Sequence, residues 1–407
     1  MRWTLLVGIV CYLTDPLSAQ TVPSATGYLA TATSDPSLVA ARTKVDFLSS
    51  TDHRLPFAQE LEFRTETHDF LLDEQEYTLR FSPNVPAQQR RQADYHRAVV
   101  ELARARDRPL LMKALVPKYR SVVDYHFLPK LLESQRQTLA LYRRQLQLLR
   151  RQVVTDDFDL DDLVATEFDI FEMEEKLLER SQMWRSVREE IGSVFPNDSI
   201  TTDFLTIEAI ESRMDSYPPP PALEEEILRL RNELLLADYQ RELAAINNPL
   251  DFIQARYGGR NSDAFREEFA VGLGLRFPIK GDKKLDLLEI EYEQRERTAD
   301  HQIEMLERER KISEAATTVL FHLERYRLLN RQYADTQTEY ALKRLEQLAD
   351  ADPLQIVQFQ LILQKRQQRV LELRYRIYRD FVEWLEVSER LTAPPLRNWL
   401  SPGMENF

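Results

Sequence analysis

The sequence predicts a mainly helical fold with a small β part, laid out as an internal two-fold repeat. Three observations predict it. Glu74 to Phe81 and Glu268 to Phe277 both alternate polar and apolar residues, both end in Leu-Arg-Phe, and lie about half a chain apart. Each alternation feeds a long charged stretch; from Gly281 to Ala349 about 69 residues pass without a proline, roughly 100 Å of helix at 1.5 Å per residue. Charged residues make up 30% of the 407, with only 9 glycines, which is the profile of long helices and coiled coils.

Residues 1–19 read as a secretory signal, with Arg2 as the positive end, an apolar core from Leu5 to Leu13 and a small-residue exit at Leu17-Ser18-Ala19. The only cysteine, Cys11, lies inside it, so no disulfide and no acyl anchor are expected of the mature chain. Residues 20–57 form an N-terminal segment, irregular to Ser34, whose first helix starts at Asp35-Pro36, a capping residue followed by proline at the first helical position. Residues 58–83 are a strand hairpin: Leu61, Phe63, Thr65 and Thr67 oppose Glu62, Arg64, Glu66 and His68, then Tyr77, Leu79 and Phe81 oppose Glu76, Thr78 and Arg80.

Residues 84–191 form a first long helical hairpin turning at Val153 to Asp162. Pro109, Pro117 and Pro129 predict a kink or break between 107 and 129, because an interior proline removes a hydrogen bond and crowds the preceding turn. Residues 192–221 are a mixed connector ending in four prolines, and 222–247 a helix with Glu224, Glu225 and Glu226 at its positive end. A second hairpin, 248–279, places Phe269, Val271, Leu273, Leu275 and Phe277 on one face against Glu268, Ala270, Gly272, Gly274 and Arg276. A second helical hairpin fills 280–392, interrupted at Asp350 to Pro353, and Pro394-Pro395 ends the ordered part before a tail, 393–407.

A net charge of −13 argues against nucleic acid as a partner. The six histidines show no metal-ligand spacing, and no phosphate loop, nucleophile elbow or catalytic grouping is present, so the reading is of a non-enzyme without a cofactor. No apolar run is long enough for a helical membrane span; a membrane segment here has to be a β-barrel. Alternating strands with one apolar face suit a barrel wall, and they also suit the edge of a soluble sheet. Four strands cannot close a membrane barrel, so a barrel reading requires several chains, two giving eight strands and three giving twelve.

Three segments together resemble the TolC-like outer-membrane efflux proteins. Asp35-Pro36-Ser37-Leu38-Val39-Ala40-Ala41-Arg42 is similar to the family's Asn-Pro-x-Leu-x-Ala-Ala-Arg helix start, and Asp159 to Ala165 and Ala349 to Gln358 resemble its two periplasmic tips, here without glycine. The resemblance implies a homotrimer with a twelve-stranded outer-membrane barrel, a long periplasmic helical barrel, and docking to a periplasmic adaptor and inner-membrane pump. It places the chain in the outer membrane of a Gram-negative bacterium, as a passive conduit. The alternative is a secreted or periplasmic coiled-coil scaffold without channel activity.

Within this frame Phe63, Tyr77, Leu79, Phe81, Phe269, Val271, Leu273, Leu275 and Phe277 are expected to face lipid, with Tyr257 joining the aromatic girdles. Arg64, Arg80 and Arg276 then face the lumen, or are ordinary exposed charges of a soluble hairpin. Asp156, Asp157, Asp159, Asp350 and Asp352 lie at the expected tunnel entrance, either as rings of carboxylates or as solvated turns capping the next helix. Trp184 and Trp384 are expected to pack in the core.

Overall fold

The structure, a computed structural model, describes residues 23–51, 54–67, 75–152, 160–195, 200–216, 223–246, 248–258, 269–275, 283–334, 337–347 and 352–407. The expected signal segment, Cys11, Asp156, Asp157, Asp159, Asp350, Arg276, Phe277 and the proline run 218–221 lie outside the described residues. The elements are α1 (Ala25–Ala30), α2 (Pro36–Ser50), β1 (Ala58–Thr67), β2 (Gln75–Pro83), α3 (Pro86–Ala105), α4 (Asp107–Gln152), α5 (Leu160–Val194), α6 (Ile207–Ser216), α7 (Leu223–Ile246), β3 (Leu250–Gly258), β4 (Phe269–Leu275), α8 (Lys283–Ala334), α9 (Gln337–Glu346) and α10 (Pro353–Val387).

Local chemistry sets several boundaries. The Asp35 carboxylate accepts from the Ser37 amide at 2.9 Å and caps α2, with Pro36 as its first residue. The start of α3 is fixed by Pro86 and by the Gln88 side chain, which accepts from the Val85 amide at 3.0 Å. A discontinuity at Arg106 separates α3 from α4 and leaves Pro109 in the first turn of α4, where a missing amide hydrogen costs nothing. Pro117 and Pro129, by contrast, lie inside an unbroken helix. The expected break is therefore confined to Arg106. Each interior proline costs about 3 kcal/mol, and the buried Leu115, Val116, Tyr119, Val122, Val123, Phe127, Leu128 and Leu131 around them offset it by packing.

The helices pack antiparallel, as the pairs joining them show. Arg143 meets Glu174 at 2.6 Å and Arg150 meets Glu167 at 2.8 Å between α4 and α5. Arg120–Glu386 at 2.7 Å and Thr138–Gln368 at 3.1 Å join α4 to α10. Arg308–Glu389 at 3.1 Å and His322–Asp380 at 2.6 Å join α8 to α10 and its C-terminal turn, and Arg91–Gln240 at 2.6 Å joins α3 to α7. Most of the core lies where α1, α4, α5, α6 and α10 meet; a smaller cluster of Leu139, Tyr142, Met173, Val357 and Leu361 lies further along α4.

Three expectations need correction. Residues 25–30 and 207–216 are helices, each short and therefore weak in periodicity, and both are held by burial against the core. The tail is not loose: Trp399 and Leu400 are buried, the Tyr119 hydroxyl donates to the Arg397 carbonyl at 2.6 Å, and the Arg213 guanidinium donates to the Trp399 and Pro402 carbonyls at 2.8 and 2.6 Å. Pro394-Pro395 ends the helical pattern but not the order, because fixed carbonyls downstream satisfy a buried arginine. Trp384 is buried, and Trp184 packs its ring against Tyr125 at 5.1 Å on the margin of the same core.

Candidate functional site

The four strands form one antiparallel sheet in the order β1-β2-β3-β4, and its register decides which side chains share a face. Leu61, Phe81, Ile253 and Leu273 lie across from one another. The next row is Phe63, Leu79, Ala255 and Val271, and the last is Thr65, Tyr77, Tyr257 and Phe269. One face is thus apolar or aromatic in every row but for Thr65. It is also bare: Leu61, Phe63, Leu79, Val271, Leu273 and Leu275 are exposed, Val271 to 69%. An uncovered apolar face of this extent marks a contact with lipid or protein.

The opposite face is charged and internally paired. Glu62 lies opposite Arg80, and Arg80 sits between Glu62 at 3.9 Å and Asp251 at 3.7 Å. Arg64 meets Glu62 at 3.3 Å and Glu66 at 3.5 Å, and Arg256 pairs with Glu76 across β2 and β3. The Arg80 guanidinium also lies over the Phe252 ring at 3.8 Å. Phe252 in turn lies across Gly274, where an added Cβ would overlap the ring.

Among the described residues, eight of the expected lipid-facing positions fall on the single apolar face: Phe63, Tyr77, Leu79, Phe81, Phe269, Val271, Leu273 and Leu275. Arg64 and Arg80 point to the other face. Leu61 takes the place on this face that the alternation gave it, and Ile253 and Phe57, which stacks on Phe81 at 4.9 Å, extend the face beyond the positions expected of it. Ile253 could have been found from the alternation of Ile253, Ala255 and Tyr257 with Gln254 and Arg256. Phe57 has the same parity as Leu61 and Phe63, but the polar Gln59 between them breaks the apolar alternation, so the pattern does not single it out. Of the expected entrance acids the described Asp352 caps α10, its carboxylate accepting from the Leu354 amide at 2.9 Å.

Beneath the sheet the helices leave two apolar stripes uncovered. On α5 they are Val164, Phe168, Phe171 and Leu178; on α8 they are Leu285, Leu288, Tyr292, Ile303 and Leu306. The β1 and β4 edges each pair on one side only. Where α4, α6, α8 and α10 meet, a cavity of about 370 Å³ is lined by His126, Phe204, Tyr326, Arg374 and Tyr378 among others. There the Lys130 ammonium donates to His126 Nε2 at 2.7 Å and His126 Nδ1 donates to the Thr202 hydroxyl at 2.7 Å. Burial, with Lys130 and Arg374 alongside, pushes the imidazole down to about 4. Among the described residues no group of three or more His, Cys, Asp or Glu could hold a metal ion, and no helix is long and apolar enough to cross a membrane.

A short two-faced sheet standing on long antiparallel helices is the fold of outer-membrane channels of the TolC-like type. The chain is similar to CusC, in a structure described as reporting the conformational changes that accompany folding and transmembrane channel formation, at 12% identity and a TM-score of 0.62 over 90% of this chain and 92% of that one. It is similar to the open state of the Neisseria gonorrhoeae outer-membrane channel MtrE at 10% identity and a TM-score of 0.64, over 90% and 89% of the two chains. It is also similar to the outer-membrane protein VceC of Vibrio cholerae, at 12% identity and a TM-score of 0.60 over 90% and 99%. No family model and no curated relative matches the sequence.

Proposed function

We propose that this chain is one subunit of a homotrimeric outer-membrane channel in a Gram-negative bacterium, a passive conduit from periplasm to exterior. Three copies of the sheet close into a twelve-stranded barrel set in lipid, and the helices, arranged as an internal two-fold repeat, continue it as a periplasmic helical barrel. Its partners are a periplasmic adaptor and an inner-membrane pump, which supplies the energy; the chain itself is no enzyme. The observation that carries the reading is the sheet, apolar and bare on one face, charged and paired on the other, and open at both edges. Open edges are not tolerated in lipid, so a membrane location requires further copies. The fold shared with outer-membrane channels supports the location, and it favours a channel over a coiled-coil scaffold. A paired lumen face suits a wide aqueous passage better than a selective filter.

Membrane fractionation of cells expressing the chain tests this. A heat-labile trimer is expected in the outer membrane, and recovery as a soluble periplasmic monomer overturns the reading. Leu273→Asp should abolish assembly, since a charge on the lipid face of a barrel costs on the order of 2 kcal/mol per subunit. On an exposed soluble strand the same change would leave the protein unaltered.

A further inference from the structure

The cavity where α4, α6, α8 and α10 meet holds positive charge that its surroundings do not neutralise. Its floor is built from two helical pairs at i,i+4 spacing, His126 with Lys130 on α4 and Arg374 with Tyr378 on α10, and the segment 202–208 closes over them. Burial, and then the nearby Arg374 guanidinium, hold the Lys130 ammonium below its ordinary pKa. Among the described residues neither cation forms an ion pair. Asp203 and Glu208 line the same cavity and pair with neither. In a chain of net charge −13, two cations set side by side without a carboxylate form a local site for an anion.

The rest of the lining is aromatic and fixed. The Phe204 ring lies 4.2 Å from the His126 imidazole and meets Tyr378 edge-on at 5.2 Å, with Phe127 5.3 Å from Tyr378. The Tyr378 hydroxyl donates to the Leu205 carbonyl, and the Thr202 hydroxyl accepts from His126 Nδ1 at 2.7 Å, so the covering segment is tied to both helices beneath it. The ammonium of Lys130 gives one proton to His126 Nε2 at 2.7 Å, which leaves two for another acceptor. Arg374 offers a planar fork that matches a carboxylate. A cavity of about 370 Å³ with aromatic walls and these two donors has room for one planar ring carrying one carboxylate. The Asp203 and Glu208 carboxylates at the same cavity repel multiply charged anions such as phosphate esters.

We propose that this cavity binds a small aryl carboxylate, its ring against Phe204 and its carboxylate accepting from Arg374 and Lys130. The site belongs to the helical part of the chain, so the inference does not depend on where the sheet resides. A ligand there touches α4, α10 and the segment leading into α6 at once, and binding to the native arrangement alone raises its stability by mass action.

Isothermal titration calorimetry of the full chain in detergent at neutral pH, with benzoate, benzyl alcohol and acetate as probes, tests this. Benzoate should bind saturably, and the other two about tenfold or more weakly, since benzyl alcohol lacks the charge and acetate the ring. Arg374→Gln and Lys130→Gln should each weaken benzoate by about tenfold or more. Arg376→Gln removes an exposed arginine of the same helix that does not line the cavity, and should bind as the parent does. Lys130 and Arg374 are themselves exposed, so the thermal midpoints of the ligand-free variants should match the parent. If one of them melts early, the other decides, together with Arg374→Lys, which keeps the charge but loses the fork and should fall between parent and Arg374→Gln. No saturable binding of benzoate to the parent overturns the proposal, as does an affinity that Arg374→Gln and Lys130→Gln leave unchanged. Acetate binding as tightly as benzoate overturns it too, the cavity then holding an adventitious ion only.

Discussion

Gly274 shows how much a single missing side chain decides in this sheet. The Phe252 ring occupies the space its Cβ would take, and the Arg80 guanidinium closes over the ring from the other side at 3.8 Å. The aromatic side chain thus replaces the packing that a glycine strand lacks, and it does so on the polar face. Gly274→Ala should lower the thermal midpoint in detergent, at a cost of about 1–3 kcal/mol for overpacking. Adding Phe252→Ala should restore most of it. Gly272→Ala meets only the flexible Gln254 side chain at 3.0 Å and should stay within about 0.5 kcal/mol of the parent. From the sequence, Gly272 and Gly274 read simply as small residues on the polar face; that Phe252 lies over one of them follows from the β3–β4 register, which pairs Phe252 with Gly274.

At the scale of elements, the helical layer is pinned by polar contacts that no periodicity announces. Glu389, in a left-handed backbone conformation just past α10, accepts from the Leu223 amide at 2.8 Å at the start of α7 and from Arg308 of α8 at 3.1 Å. His126 ties α4 to the segment before α6 through Thr202 and is held neutral, near 4 against an ordinary 6.5. Between those two values the unfolded chain binds a proton there and the native one does not. Stability should therefore fall as the pH drops from about 6.5 toward about 4, and be unaffected by this group above that window. Urea midpoints across the range, compared with His126→Gln, check this: the variant should show the shallower decline.

The long helices and the start of α2 were legible because a capping Asp-Pro pair and a sustained apolar stripe are local signals. The helix is not broken at Pro117 and Pro129, since burial of the surrounding side chains outweighs a local penalty. The ordered tail was illegible for the complementary reason. Its carbonyls are acceptors for Arg213, which lies far away in the sequence.

For the whole molecule, the bare stripes of α5 and α8 matter most. A monomer in water would leave Phe168, Phe171, Leu285 and Leu306 uncovered, and burying each fully is worth about 1.5–3 kcal/mol. In the proposed trimer these faces are available to cover one another between neighbours. Phe168→Ser combined with Phe171→Ser should dissociate the particle in detergent, read by sedimentation, while the helical signal in circular dichroism is retained. Persistence of an intact trimer would place the subunit contacts elsewhere.

The sequence by itself determined the element types and the two-sidedness of the strands, because periods of two and 3.6 are properties of neighbours along the chain. Tyr77, Leu79 and Phe81 could be set on one face from alternation alone, and so could Phe269, Val271, Leu273 and Leu275. Only the tertiary structure decided that both sets share a single face of a single sheet, that Phe57 prolongs it, and that Phe252 covers Gly274. The first depends on the register of β2 against β3, which α3 to α7 separate in sequence, and the other two on how side chains meet within each hairpin; register is fixed by pairing and packing, not by the local pattern.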